Sequence, residues 1–153
     1  MIEEGSIAPD FELETEDGKL RLSTLAGKPV VIYFYPKDDT SGCTAEAKDF
    51  TCLASDFKAA GAEVIGISPD SVASHKKFRS KYELSVRLAA DEDKAAASAY
   101  GVWVEKSMYG RKYMGVERST FLIDAQGRVA RAWHKVKVPK HAEQVLEAVK
   151  SLK

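Results

Sequence analysis

Cys43 is the residue whose type and place point most directly to chemistry. It follows the polar run Lys37-Asp38-Asp39-Thr40-Ser41-Gly42 and, by the pattern of the residues after it, opens a helix. Unpaired backbone N–H groups and the positive end of the helix dipole stabilise a thiolate there, and helix-start cysteines can have pKa values lowered to between about 3.5 and 7.5. Thr40 and Ser41 supply hydroxyls, and Gly42 allows close approach of backbone. The chemistry this suits is nucleophilic attack by sulfur. For a cysteine without such flanks, a small buried apolar role is the ordinary alternative.

The second thiol, Cys52, lies nine positions along the same predicted helix. That spacing separates the Cα atoms by roughly 13.5 Å and puts the side chains on opposite faces. A disulfide needs Cα atoms about 4.4–6.8 Å apart, so direct pairing would require the first helical turns to unwind. Cys52 adjoins Leu53, which gives it a second reading as a core-packing thiol.

The elements that must position these residues are legible in outline. Phe11 to Thr15 and Lys19 to Leu22 alternate apolar with polar around Asp17-Gly18, the pattern of a half-exposed hairpin. Val30 to Tyr35 is continuously apolar and rich in β-branched and aromatic residues, a strand covered on both faces that ends at Pro36. Phe50, Leu53 and Phe57, with Ala47 and Ala54, predict one helix from Cys43 to a left-handed cap at Gly61. The unit then repeats, with a strand over Glu63 to Ser68 and a helix marked by Val72, His75, Phe78, Arg79 and Tyr82. A short strand over Val86 to Ala89 and an Ala-rich helix over Lys94 to Tyr100 follow. A basic loop leads to a strand at Ser119 to Ile123, the turn Asp124 to Gly127, a strand from Arg128 to about Val136, and a helix lined by Val145, Leu146, Val149 and Leu152. This order predicts an α/β sandwich with a mixed central β-sheet, helices on both faces and an N-terminal β-hairpin extension, in the arrangement of a thioredoxin-like fold. In such sheets ligands bind beyond the carboxyl ends of the strands, where the Pro36 to Gly42 loop falls.

The whole chain bounds the function. Its 153 residues are read as one domain, 1–153, large enough to bury a core without disulfide staples. Lys plus Arg number 23 and Asp plus Glu 23, which argues against a nucleic-acid or membrane-surface role built on bulk positive charge. The acidic start, Met1 to Gly5, lacks the features of a signal peptide, and no apolar run approaches the roughly 20 residues that span a bilayer. The expected location is cytoplasmic, where a thiol is kept for chemistry rather than cross-linking. The three histidines, His75, His134 and His141, have no spacing that suggests a metal site and are read as structural or surface residues, so no metal and no cofactor are expected.

The segment Pro36-Lys37-Asp38-Asp39-Thr40-Ser41-Gly42-Cys43 resembles the Pro-x-x-x-Thr-x-x-Cys signature of peroxiredoxins. The wider stretch from Tyr33 to Glu46 is similar to the bacterioferritin comigratory protein, or Q-type, subfamily, and the likeness continues through Gly5 to Phe11, Gly61 to Ser68, Met108 to Gly110 and Gly115 to Ile123. The resemblance implies a thiol-dependent peroxidase that reduces hydrogen peroxide and organic hydroperoxides, serving antioxidant defence as a monomer. It makes Cys43 the peroxidatic nucleophile and Thr40 the hydroxyl beside sulfur and peroxide. Pro36 becomes the shield of the site, and Arg118 the cation that holds the thiolate and polarises the peroxide. An Arg suits that role because its charge is permanent and its donors form a rigid fork.

The resolving step departs from the subfamily's patterns. Lys48 stands where many members carry a resolving Cys, and Arg79 stands at the alternative place. Cys52 is therefore either the resolving residue or a bystander in a one-cysteine cycle, in which thioredoxin, glutaredoxin or glutathione attacks Cys43 directly. The paired acids Asp38-Asp39 are expected to point to solvent, because a carboxylate near the sulfur would oppose ionisation. Lys106, Arg111 and Lys112 are expected in a solvated loop, and Trp103 and Trp133 in packing. Two other classes compete with the peroxidase. A dithiol oxidoreductase needs Cys-x-x-Cys, but Glu46 follows Cys43 at that spacing. A non-catalytic thioredoxin-like binding module or thiol-dependent chaperone would have no use for Thr40 and Arg118.

Overall fold

The computed structural model describes residues 2–152. Its centre is β3, Val30–Phe34, every residue of which is buried. Alternation along this strand divides the interior in two. Val30, Ile32 and Phe34 face one apolar layer, while Val31, Tyr33 and the following Tyr35 face the other.

Parallel β4 (Glu63–Ser68) and antiparallel β8 (Ser119–Ile123) flank β3. The sheet extends to β5 (Arg87–Ala90) and the hairpin β1 (Glu12–Thr15) and β2 (Gly18–Arg21) on one side, and to β9 (Val129–Trp133) on the other. The order is β2-β1-β5-β4-β3-β8-β9, a mixed seven-stranded sheet. Helices α1 (Ser41–Cys52), α2 (Ala54–Ala59), α3 (Val72–Tyr82) and α5 (His141–Lys150) pack on one face. The short α4 (Ala95–Ala99) packs on the other, together with the N-terminal segment and Val102 and Val116. Helices thus cover both faces, though unevenly.

Gly66 of β4 is dictated by packing. A Cβ there would stand 2.6 Å from Tyr33 Cζ and 2.9 Å from Leu88 Cδ2, so the glycine makes room for the Tyr33 ring to cross the sheet. Beneath that ring Phe50 stacks at 4.7 Å between centroids and fastens α1 to β3.

Three elements differ from the sequence reading. The helix expected to run unbroken to Gly61 bends at Leu53 (φ −98°, ψ 8°) and resumes as α2. Thr51 and Cys52 are weak helix formers, and the Thr51 hydroxyl there accepts the Ser85 N–H at 3.2 Å. The expected basic loop is a second hairpin, β6 (Trp103–Met108) and β7 (Arg111–Val116), with Tyr109 and Gly110 both at positive φ as a tight primed turn requires. The strand expected to reach about Val136 ends at Trp133, and Lys135 adopts a left-handed conformation just beyond it.

Candidate active site

Asp39 in the left-handed region (φ 58°) turns the chain after Pro36, and extended Thr40 then serves as the N-cap residue of α1. The Thr40 carbonyl accepts the Thr44 N–H at 2.8 Å, so Cys43 is the third residue of the helix rather than its opening one. Cys43, Ala47 and Phe50 form the buried stripe of α1, spaced as a helix face must be. Cys43 is 1% exposed and carries no disulfide.

Arg118 reaches this sulfur from the position just before β8. The antiparallel register pairs Phe34 with Ser119, which brings Arg118 level with the point where the chain leaves β3 for the Cys43 loop. Arg118 Nη2 donates to Cys43 Sγ at 3.2 Å, and Nη1 donates to Glu46 Oε1 at 2.6 Å. Gly42 permits this approach, since a Cβ on it would stand 3.2 Å from Nη2.

Glu46 follows Cys43 by three residues on the buried stripe, so its carboxyl sits behind the sulfur. Burial pushes its pKa up to about 7, partly countered by the Arg118 charge and hydrogen bond. Its second oxygen, Oε2, and the Tyr33 hydroxyl are buried without a hydrogen-bond partner among the described residues. Burial pulls Arg118 down, but the negative partners Glu46 and Cys43 outweigh it and hold the guanidinium above its ordinary value. Desolvation, followed by repulsion from Arg118, lowers the Lys106 ammonium on β6, which lies within the field of this cluster. His141 is lowered to about 4 by burial and then by Arg118, and its Nε2 lies 2.8 Å from Thr120 Oγ1.

The remaining expected site residues fall as follows. Pro36 is half-buried at the end of β3. The Thr40 side chain is exposed and its hydroxyl donates to the Lys37 carbonyl at 2.9 Å, leaving oxygen lone pairs free to accept. Cys52 ends α1 and is exposed, which overturns the core-packing reading. The structure brings Cys43 and Arg118 together and leaves Cys52 apart, with no bond between the thiols.

Asp38 corrects a second expectation. It is buried rather than solvent-facing, because Tyr35, Ser74 and His75 all direct hydrogen bonds to its carboxylate. Glu46 was visible in sequence only as a charge on an otherwise apolar helix face. A charge there is rare enough in a buried stripe to signal a partner such as Arg118.

A thiol in the first turn of a helix, with a threonine at the N-cap position and an arginine reaching it from just ahead of the adjacent strand of a thioredoxin-like sheet, defines the thiol peroxidase class. Residues 5–132 match the AhpC/TSA family. The chain is 48% identical over 149 residues to a putative peroxiredoxin bcp of Helicobacter pylori, covering 97% of this chain and 98% of that one. It is 46% identical over 152 residues to peroxiredoxin Bcp of Bacillus subtilis, covering 99% and 97%. Among solved structures, the Xanthomonas campestris bacterioferritin comigratory protein, described for its alkyl peroxide reduction activity, superposes with a TM-score of 0.91 at 44% identity over 97% of this chain and 98% of that one. A cysteine-to-serine mutant of Xylella fastidiosa PrxQ gives a TM-score of 0.93 at 37% identity, covering 99% and 97%. The chain belongs to the AhpC/TSA family, in its bacterioferritin comigratory protein or Q-type peroxiredoxin branch. It is a thiol-dependent peroxidase with an antioxidant role.

Proposed function

We propose that Cys43 is the peroxide-reactive thiol and that the protein works by a one-cysteine cycle, as a cytoplasmic monomer recharged by thioredoxin or by glutaredoxin and glutathione. The Arg118 guanidinium 3.2 Å from Cys43 Sγ carries this reading. The thiolate attacks one peroxide oxygen, the S–O bond forms as the O–O bond breaks, and the other oxygen leaves as water or alcohol after taking a proton. Arg118 donates to the oxygens as charge moves onto them, and a Thr40 lone pair accepts a hydrogen bond from the peroxide O–H, whose proton passes to the leaving oxygen. Pro36 offers no N–H to draw water into the site. An external thiol then attacks the Cys43 sulfenic sulfur, water leaves, and a second thiol releases Cys43 by displacing the mixed disulfide.

The one-cysteine form is supported by the exposed place of Cys52 at the far end of α1. Peptide mapping of peroxide-treated protein and turnover of Cys52→Ser with thioredoxin test it together. Full turnover by Cys52→Ser is expected. A Cys43-to-Cys52 disulfide in the wild type, with turnover lost in Cys52→Ser, would instead make Cys52 the resolving residue.

A further inference from the structure

Between Tyr35 and Ser41 the chain exposes Lys37, Asp39 and Thr40 and half-buries Pro36, while Asp38 alone is buried. Asp38 Oδ1 accepts the Tyr35 hydroxyl at 2.6 Å, and Oδ2 accepts the Ser74 hydroxyl at 2.8 Å and faces His75 Nδ1 at 2.8 Å. The Asp38 backbone N–H donates to Asp70 Oδ2 at 2.8 Å. His75, 1% exposed, directs its other nitrogen, Nε2, at the Ala89 carbonyl 3.0 Å away. Each ring nitrogen of His75 thus faces an oxygen acceptor, the Asp38 carboxylate on one side and the Ala89 carbonyl on the other. The Tyr35 oxygen, its proton given to Asp38, lies 3.4 Å from Nδ1 and adds a further acceptor.

This pair ties the loop to α3, not to the helix that carries the thiol. Asp39 adds a surface tie to the same helix through Lys81 Nζ at 2.8 Å and the Tyr82 hydroxyl. Cys43, three residues beyond Thr40, is 1% exposed, yet a thiol the size of glutathione or larger must reach its sulfur in every cycle. The loop and the first turn of α1 must therefore come away from α3 and return.

We propose that Asp38 and His75 form a buried hydrogen-bonded latch that positions the Pro36 to Thr40 loop over Cys43 for peroxide and sets how often it opens to the reductant. Neither residue touches the sulfur, so both are positioning residues. Removing one partner leaves the other buried with its 2.8 Å cross-link from loop to α3 unmade in the closed state, whereas in the open state water replaces it. Loss of either partner therefore shifts the balance toward open. The latch rests on the reading of Cys43 as the reactive thiol, but its opening is measurable without peroxide.

The test uses the full chain as wild type, Asp38→Asn, His75→Ala and His75→Asn, with Leu146→Ala on α5 as a core variant remote from the loop. Labelling of Cys43 by a bulky maleimide is measured under native conditions, with exposed Cys52 in the same molecule as reference. Oxidation of Cys43 by hydrogen peroxide and reduction of the product by glutathione are measured as separate half-reactions. In Asp38→Asn and His75→Ala, the ratio of Cys43 to Cys52 labelling should rise on the order of tenfold to a hundredfold. Oxidation should slow while reduction does not. His75→Asn, which restores a donor near Nδ1, should regain part of the protection, and Leu146→Ala should leave the ratio near wild type. An unchanged ratio in both latch variants, an equal rise in Leu146→Ala, or equal slowing of the two half-reactions would overturn the latch. A wild type that consumes no peroxide would overturn the peroxidase reading instead, with the labelling ratios still deciding the latch.

Discussion

Glu46 holds Arg118 by Nη1 at 2.6 Å from beneath, which leaves Nη2 free to face the Cys43 sulfur. The two nitrogens of one planar guanidinium thus serve two acceptors at once, and a lysine ammonium has no such fork. Arg118→Lys and Arg118→Ala should both lower the second-order rate of Cys43 oxidation, Arg118→Ala by roughly 100- to 1,000-fold, as for removal of a donor that meets developing charge. Stopped-flow oxidation with hydrogen peroxide checks this, and rates within twofold of wild type for both variants would remove Arg118 from the reaction.

Glu46 also makes stability depend on pH in a definite direction. Its folded pKa, about 7, lies above the 4.5 of the unfolded chain. Between those values the unfolded chain gives up the proton first. The Glu46 contribution is therefore fully present below about 4.5, is lost as pH rises to about 7, and is level above. Glu46→Gln, which keeps an acceptor for Arg118 without the charge, should remove this component. Urea unfolding of both proteins at pH 5 and pH 8 should show wild type losing ground to Glu46→Gln at the higher pH. A difference that does not move with pH would contradict the burial of an ionisable Glu46.

Gly42 separates helix stability from catalysis. Alanine at this helical position favours α1 by up to about 1 kcal/mol, but its Cβ would press on Arg118 Nη2 from 3.2 Å. Gly42→Ala should be at least as stable as wild type and oxidise several-fold more slowly. Thermal melts alongside oxidation rates test the pairing of these effects, and an unchanged rate would show that the guanidinium can shift without consequence.

At Gly66 the effect should fall on stability. A methyl group 2.6 Å from Tyr33 Cζ has nowhere to go without moving a buried ring or backbone. Gly66→Ala should destabilise the fold by about 1–3 kcal/mol, as overpacked cores do. Equilibrium unfolding decides it, and a variant as stable as wild type would mean that the Tyr33 ring repacks freely.

How much of this was legible in the sequence depends on where each residue's partner lies. The apolar run of β3 announced a strand covered on both faces, and the Thr40 to Cys43 segment announced a helix start, because both signals are local. Arg118 lies 75 residues from Cys43, so only the family pattern could join them; spacing could not. Asp38 looked like one more polar loop residue because its partner His75 is 37 positions away on another helix, and nothing near Asp38 in the sequence hints at that partner. The β6–β7 hairpin was hidden by its charges: Lys106, Arg111 and Lys112 read as a solvated loop, although Tyr109-Gly110 marked its turn. The core-packing alternative for Cys52 leaned on its neighbour Leu53, which does pack against the core, but adjacent residues of a helix point in different directions and Cys52 is exposed.

The most direct measurement is chemical trapping of the oxidised residue. One equivalent of hydrogen peroxide is added to reduced protein in the presence of dimedone, and the adduct is located by peptide mass spectrometry, with Cys43→Ser and Arg118→Ala treated in parallel. The sulfenic adduct is expected on the Cys43 peptide of the wild type, slowed in Arg118→Ala and absent in Cys43→Ser together with peroxide consumption. An adduct on Cys52 alone, or peroxide consumption by Cys43→Ser at the wild-type rate, would contradict the assignment of Cys43 as the reacting thiol.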